Sequence, residues 1–261
     1  MDYLVVCLTA FAVAGLTLFS GFGLGTVLLP VFALFFPLPV AVTATAVVHL
    51  ANNLFKLGLV GRHANREAFL RFGVPAALAA VAGAALLNLF AGMPPLVVYQ
   101  IGQRECEVTL IKVLISVIII GCAQFELVPA SSRLSFDRKY LPLGGVLSGF
   151  FGGLSGNQGA LRSAFLIKAG LTKEEFIGTG VVATVAVDVV RLVIYGTGFY
   201  STQFSGLTPH VAELILAATL AALAGSFLAA RLVEKVTLRA VQVMVGLMLV
   251  GVSLAMVIGL V

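Results

Sequence analysis

Apolar residues along this chain occur in long runs rather than in alternation with polar residues. Several runs reach the roughly 20 residues that a helix needs to cross a bilayer. The runs cover residues 3–36, 38–59, 70–91, 109–128, 141–167, 176–195, 209–230 and 238–261. No segment between them is long enough to fold as a separate soluble domain. The pattern predicts an all-α polytopic membrane protein with one membrane domain.

Two of these runs are similar to each other and are interrupted by glycine. Residues 14–32 (AGLTLFSGFGLGTVLLPVF) align without gaps to residues 148–166 (SGFFGGLSGNQGALRSAFL), so that Gly25 matches Gly159. After one insertion, the segment NLFKL matches the segment DVVRL. Duplicated halves with interrupted apolar helices are typical of secondary transporters.

This duplication predicts two repeats, residues 1–128 and residues 129–261. Each repeat would consist of one glycine-broken run, 3–36 or 141–167, followed by three spans.

The glycine clusters predict helix breaks inside the membrane. Glycine adopts backbone angles that other residues avoid, and non-helical backbone at membrane depth must be buried in protein or line a wet cavity. The clusters are Gly21, Gly23 and Gly25 in the first copy, and Gly152, Gly153, Gly156 and Gly159 in the second. The alternative is that these glycines only permit close helix packing, which we expect for Gly83 and Gly225. We interpret the clusters as re-entrant or discontinuous helices.

The distribution of cations supports this interpretation. If all eight runs crossed the membrane, six of the flanking Lys and Arg residues would lie on one side of the membrane and seven on the other. A polytopic protein is expected to have an excess of these residues on the cytoplasmic side. If each broken run enters and leaves on one side, the division becomes eleven against two. The eleven are Arg62, Arg66, Arg71, Arg133, Arg138, Lys139, Lys168, Lys173, Arg231, Lys235 and Arg239. Three crossings per repeat would then give the repeats inverted topology.

Composition limits the function classes. Hydrophobic residues make up 60% and charged residues 10% of the chain, whereas about a quarter of a soluble domain is charged. The net charge of +5 comes from cations in short loops, which indicates orientation in the membrane and not nucleic-acid binding. The chain has no nucleotide-binding, paired-carboxylate, metalloprotease or paired-cysteine motif. We therefore expect that the protein is not an enzyme and that it has neither a cofactor nor a metal site.

Two predicted helices each carry a polar face inside the membrane. Their polar residues recur at i, i+4 and i+7, which places them on one side of a helix. Polar groups at this depth are costly and are therefore functional candidates. The faces consist of Thr45, His49, Asn52 and Lys56, with Asn53 beside them, and of Thr184, Asp188, Arg191 and Tyr195.

The four ionisable residues His49, Lys56, Asp188 and Arg191 each have a purely structural interpretation as an alternative. Lys56 and Arg191 lie towards helix ends, where long side chains can extend to the interface. Asp188 could simply neutralise Arg191 at i+3. His49 could be a core histidine bonded to a carbonyl, or a histidine that binds a proton or substrate.

The densest polar cluster follows the second break. Its members are Ser155, Gly156, Asn157, Gln158 and Gly159, with Arg162 one turn later. The N-terminus of a helix binds anions through free N–H groups, and transporters point such ends at anionic substrates. The cluster therefore predicts an anion site, to which the less polar first break contributes Gly21, Gly23 and Gly25.

The two glycine motifs resemble the TauE/SafE family of membrane permeases. The segments that carry the resemblance are GFGLGTVLLP in the first copy and GFFGGLSGNQGALRSAFL in the second. The resemblance implies export of sulfite or organosulfonates through the bacterial cytoplasmic membrane by a multi-pass protein. The first copy reads GFGLG where the family has the fuller GxGGG.

The leading hypothesis is a gradient-driven transporter of a small anion, with sulfite or an organosulfonate implied by the resemblance. Protons are a candidate coupling ion, and a homodimer is a candidate assembly. The alternatives are an uncoupled anion channel, a transporter of another small organic anion, and a membrane scaffold. His49 and Asp188 are titratable groups on the expected path of the anion. Such groups indicate proton linkage, which argues against an uncoupled channel.

Overall fold

The computed structural model describes residues 2–16, 23–102, 104–127, 135–199, 209–232 and 238–260. Residues 1–128 include α1 (Asp2–Leu16), α2 (Leu24–Ala33), α3 (Leu38–Val60), α4 (Arg66–Ala68), α5 (Val74–Ala91) and α6 (Leu110–Leu127). A π-helical segment, Phe69–Gly73, joins α4 to α5. Residues 129–261 include α7 (Leu141–Ser155), α8 (Gly159–Leu166), α9 (Lys173–Phe199), α10 (Pro209–Leu232) and α11 (Leu238–Val257).

Helices occupy the apolar runs, and both glycine-rich runs are interrupted. Within the described residues, four helical segments are long and apolar enough to cross a membrane: 38–63, 66–91, 173–197 and 209–229. Shorter apolar helices cover 2–15, 24–33 and 110–121. Gly23, which precedes α2, lies in the first interruption, whereas Gly21 lies outside the described residues.

A β-hairpin between α5 and α6 corrects the expectation of a wholly helical chain. Strand β1 (Val97–Ile101) pairs antiparallel with β2 (Arg104–Val108), with Val97 opposite Val108. Gly102 at the turn has φ 64°, in the region that glycine favours. The β-branched residues before this glycine are typical of a strand and could have predicted the hairpin.

The second break turns the chain back on itself. Gly156 caps α7 with φ 81°, and Phe165 near the end of α8 packs on Gly144 near the start of α7. Phe136, which precedes α7, stacks on the Phe165 ring with centroids 4.2 Å apart. Helix α8 therefore ends where α7 begins.

Helix α9 begins at this same end of the molecule. The Asn65 side chain donates a hydrogen bond to Glu175 Oε1 at 2.9 Å, and the Asn65 backbone N–H donates to Thr179 Oγ1 at 2.9 Å. Arg138 forms an ion pair with Glu67 at 2.6 Å. We call this end, where residues 61–71, 135–140 and 167–175 meet, the Asn65 end.

The helices of the two halves pack in matched pairs. Helix α5 lies on α7, where Gly83 contacts the Phe150 carbonyl, and α10 lies on α1, where Gly225 contacts the Phe11 carbonyl. Helix α3 packs on α9, and α6 packs on α11. A Cβ at Gly83 or Gly225 would overlap the facing backbone, so these two glycines are packing contacts, as the sequence predicts.

The positions of Asn65 and Glu175 predict which loops share a side of the membrane. In a variant without the native cysteines, Arg66→Cys and Lys168→Cys should react with an impermeant maleimide from the same side. Met93→Cys, which follows α5 at its other end, should react only from the opposite side. Reaction of Arg66→Cys and Lys168→Cys from opposite sides would contradict the folding back of α8.

Candidate functional site

The two helix breaks lie next to each other in the structure. A Cβ added to Gly25 would lie 3.3 Å from His49 Cδ2 and 3.6 Å from the Gly156 carbonyl oxygen. Gly23 precedes α2 with φ 117°, a conformation that other residues rarely adopt. The breaks, which are distant in sequence, therefore meet at His49 on α3.

A buried chain of ionisable groups joins α3 to α9 at this point. His49 Nδ1 lies 2.7 Å from Asp188 Oδ2, and Asp188 Oδ1 lies 2.8 Å from Arg191 Nη2. His49 thus has a carboxylate partner from the other half of the chain. Asp188 does pair with Arg191, as one alternative supposed, but it also binds His49.

Arg191 and Lys56 do not extend to the interface. Arg191 is 0% exposed and Lys56 is 5% exposed, so snorkelling is wrong for both in this structure. The Arg191 guanidinium lies against Gly156, where a Cβ would overlap Nη1. Its charge points at the second break, so glycine at 156 both permits the positive φ and leaves room for the guanidinium.

The Arg191 guanidinium has unused hydrogen-bonding capacity. Nη2 forms the ion pair with Asp188, but none of the three nitrogens makes an aligned hydrogen bond to the described residues. The Tyr195 hydroxyl lies beside Arg191 and donates its own hydrogen to the Gly153 carbonyl. Buried donors without partners are costly, so this geometry favours an added acceptor.

The remaining polar residues of α3 are also buried. Asn53 Nδ2 donates to the His49 carbonyl at 2.8 Å. Asn52 Oδ1 accepts from Ser226 Oγ at 2.7 Å, whereas Asn52 Nδ2 and Thr45 Oγ1 have no partner among the described residues. Sequence reasoning missed Ser226, whose one signal was its place beside the packing glycine of α10.

The polar residues of the second break partly stabilise the break itself. Ser155 Oγ donates to the Phe151 carbonyl at 3.1 Å, and Asn157 Nδ2 donates to Ser155 Oγ at 3.1 Å. Ser148, another residue that sequence reasoning missed, donates to the Gln158 carbonyl at 3.0 Å. Gln158 Nε2 is buried without a partner in the described structure, so it remains a donor for a ligand.

The Arg162 side chain, from α8, contacts α9 at a position closer to the Asn65 end than Asp188 and Arg191. Its Nη1 donates to Thr184 Oγ1, which donates in turn to the Gly180 carbonyl at 2.8 Å. A Cβ at Gly180 would lie 3.3 Å from Arg162 Nε. Lys56, which lies towards the same end on α3, is also buried.

The buried charges do not balance. Lys56, Arg162 and Arg191 are cationic and Asp188 is the carboxylate among the buried charged residues described; His49 adds a charge when protonated. Isolated buried charge is unfavourable unless it is paired. The described residues contain no group of three or more His, Cys, Asp or Glu side chains that could hold a metal ion. The arrangement is therefore suited to binding an anion.

Comparison with protein families identifies the chain. The family model described as Sulfite exporter TauE/SafE matches residues 6–256. The chain belongs to this family of membrane transporters, and its helices are long and apolar enough for a multi-pass membrane protein. Comparison with curated proteins and with solved structures gives no match.

The position of Asp188 predicts a large effect on stability. Asp188→Asn removes the carboxylate that joins His49 and Arg191, and breaking a buried pair typically costs about 3–5 kcal/mol. Thermal unfolding in detergent should show a clear fall in Tm. Asp137→Asn is the control, because the Asp137 side chain is 70% exposed. An unchanged Tm for Asp188→Asn would mean that the ion pairs contribute little.

Proposed function

We propose that this protein is a gradient-driven secondary transporter that exports sulfite or an organosulfonate through the bacterial cytoplasmic membrane. The anion would bind where the two breaks meet. The candidate residues along the path of the anion, at this junction or on either side of it, are those predicted from sequence: Ser155, Gly156, Asn157, Gln158, Gly159, Arg162, Gly21, Gly23, Gly25, His49, Asn52, Asn53, Lys56, Thr184, Asp188 and Arg191.

The observation that carries this proposal is the Arg191 guanidinium beside Gly156, which pairs with Asp188 through Nη2 and keeps further N–H groups for a ligand. An oxyanion accepts several hydrogen bonds, and charge-assisted bonds to Arg are shorter and stronger than neutral ones. Gln158 Nε2 and Asn52 Nδ2 are further buried donors without partners in the described structure. A sulfur oxyanion offers up to three oxygens for such donors, and its negative charge would offset the excess of buried cations.

Alternating access by two inverted repeats would connect this site to each side of the membrane. The matched packing of α5 on α7 and of α10 on α1 supports the repeats 1–128 and 129–261. The folding back of α8 supports a re-entrant second break. In this proposal the Asn65 end faces the cytoplasm, because the loops that meet there are rich in Lys and Arg.

Protons are the coupling ion that the site favours. His49 and Asp188 lie 2.7 Å apart beside the breaks, so a change in the anion bound at Arg191 would alter the electrostatics of both. This observation supports a coupled transporter over an uncoupled channel. Sustained unitary currents in electrical recordings would support the channel instead.

Flux measurements on purified protein in liposomes test the proposal. Radiolabelled sulfite or a short sulfonate should be transported, and Arg191→Gln should reduce substrate affinity roughly tenfold or more, because a charge-assisted hydrogen bond contributes about 1.5–3 kcal/mol. Arg66→Gln is the control, since Arg66 is exposed at the Asn65 end.

Transport of a carboxylate or a cation, with no flux of any sulfur oxyanion, would refute the substrate assignment. Equal activity of Arg191→Gln and the unmodified protein would refute the proposed role of Arg191. A folded Arg191→Gln variant is required, so its Tm in detergent is measured beside the flux.

A further inference from the structure

We call the junction of the two breaks, at Gly25, His49 and Gly156, the central site. Lys56 and Arg162 lie away from the central site, towards the Asn65 end. Lys56 follows His49 by seven residues on α3, which is about 10 Å along the helix axis at 1.5 Å per residue. Thr184, which binds Arg162, precedes Asp188 by four residues on α9, or about 6 Å. Both displacements point to the same end, because α3 ends and α9 begins at the Asn65 end.

The Arg162 guanidinium is fixed at this position between the central site and the Asn65 end. Thr184 Oγ1 accepts its hydrogen bond, and Gly180, one turn earlier on α9, allows its Nε to lie on the helix surface. Arg162 is 4% exposed, so its charge is directed into the protein. The side chain belongs to α8, and its contact with α9 therefore also joins these two helices.

Lys56 supplies the second charge and has no counter-ion. No described residue forms an ion pair or hydrogen bond with its ammonium group, although the side chain is 5% exposed. Helix α3 contacts α9 at this level, since a Cβ at Gly178 would lie 2.8 Å from the Val60 carbonyl oxygen, one turn after Lys56. The nearby carboxylate, Asp188, also attracts Arg162, but its oxygens already lie at His49 and Arg191.

We propose that Lys56, Arg162 and Thr184 form a second anion subsite between the central site and the Asn65 end. This inference rests on the proposed function and deepens it, because the ligand is the same small sulfur oxyanion. An anion between Lys56 and Arg162 would replace their repulsion with two charge-assisted contacts. Two sites in series would let one anion enter from the Asn65 end while another occupies the central site.

Equilibrium binding of radiolabelled sulfite to the purified full-length protein tests the second subsite. The unmodified protein should bind two sulfite ions. Lys56→Met removes the charge but keeps a long apolar side chain, so it should weaken one site at least tenfold and leave the affinity of the other unchanged. Lys139→Met is the matched control, because Lys139 is an exposed lysine at the same end and should leave both sites intact.

Arg191→Met should weaken the other site, and Lys56→Arg should restore the binding lost in Lys56→Met. A single site in the unmodified protein would overturn the second subsite while leaving the proposed function in place. Two sites that both survive Lys56→Met would overturn it as well. No sulfite binding by the unmodified protein, together with transport of a different class of ion, would overturn the proposed function itself.

Discussion

The burial of three cations with one carboxylate is the constraint on which the rest of this structure depends. Asp188 lies between His49 and Arg191, and one of its oxygens pairs with each of them. In a low-dielectric interior this excess of positive charge is unfavourable. The surrounding helices hold these cations in place, and the proposed anion would offset the excess charge.

The glycines make this arrangement sterically feasible. Gly156 leaves the volume that the Arg191 guanidinium occupies, and Gly25 brings the first break against His49. Gly149 and Gly153 on α7 contact the backbone of α5 at Ala76 and Ala80. Close helix packing of this kind fixes α7 in place, and with it the position of the second break. Packing glycines and break glycines thus contribute to one site by different means.

Local patterns predicted much of the fold, because helix length and polar periodicity are properties of neighbouring residues. The helical runs, the two interruptions and the buried polar face of α3 follow from such patterns. The pair of His49 with Asp188 does not, because the partners are 139 residues apart. The same limit explains why Lys56 and Arg191 resembled snorkelling residues: their position in a helix was visible, but the helices that cover them were not. Ser226 was missed for the same reason, since its partner Asn52 is 174 residues away, whereas the partner of Ser148, Gln158, is only ten residues away.

The central claim is that a sulfur oxyanion binds at the junction of the two breaks. Selenite has the shape and charge of sulfite and scatters anomalously at the selenium edge. Diffraction from crystals soaked in selenite should show a selenium peak within hydrogen-bonding distance of the Arg191 guanidinium, beside Gly156, and Arg191→Gln should abolish it. Selenium found only on the protein surface, or a central peak that survives Arg191→Gln, would contradict the account.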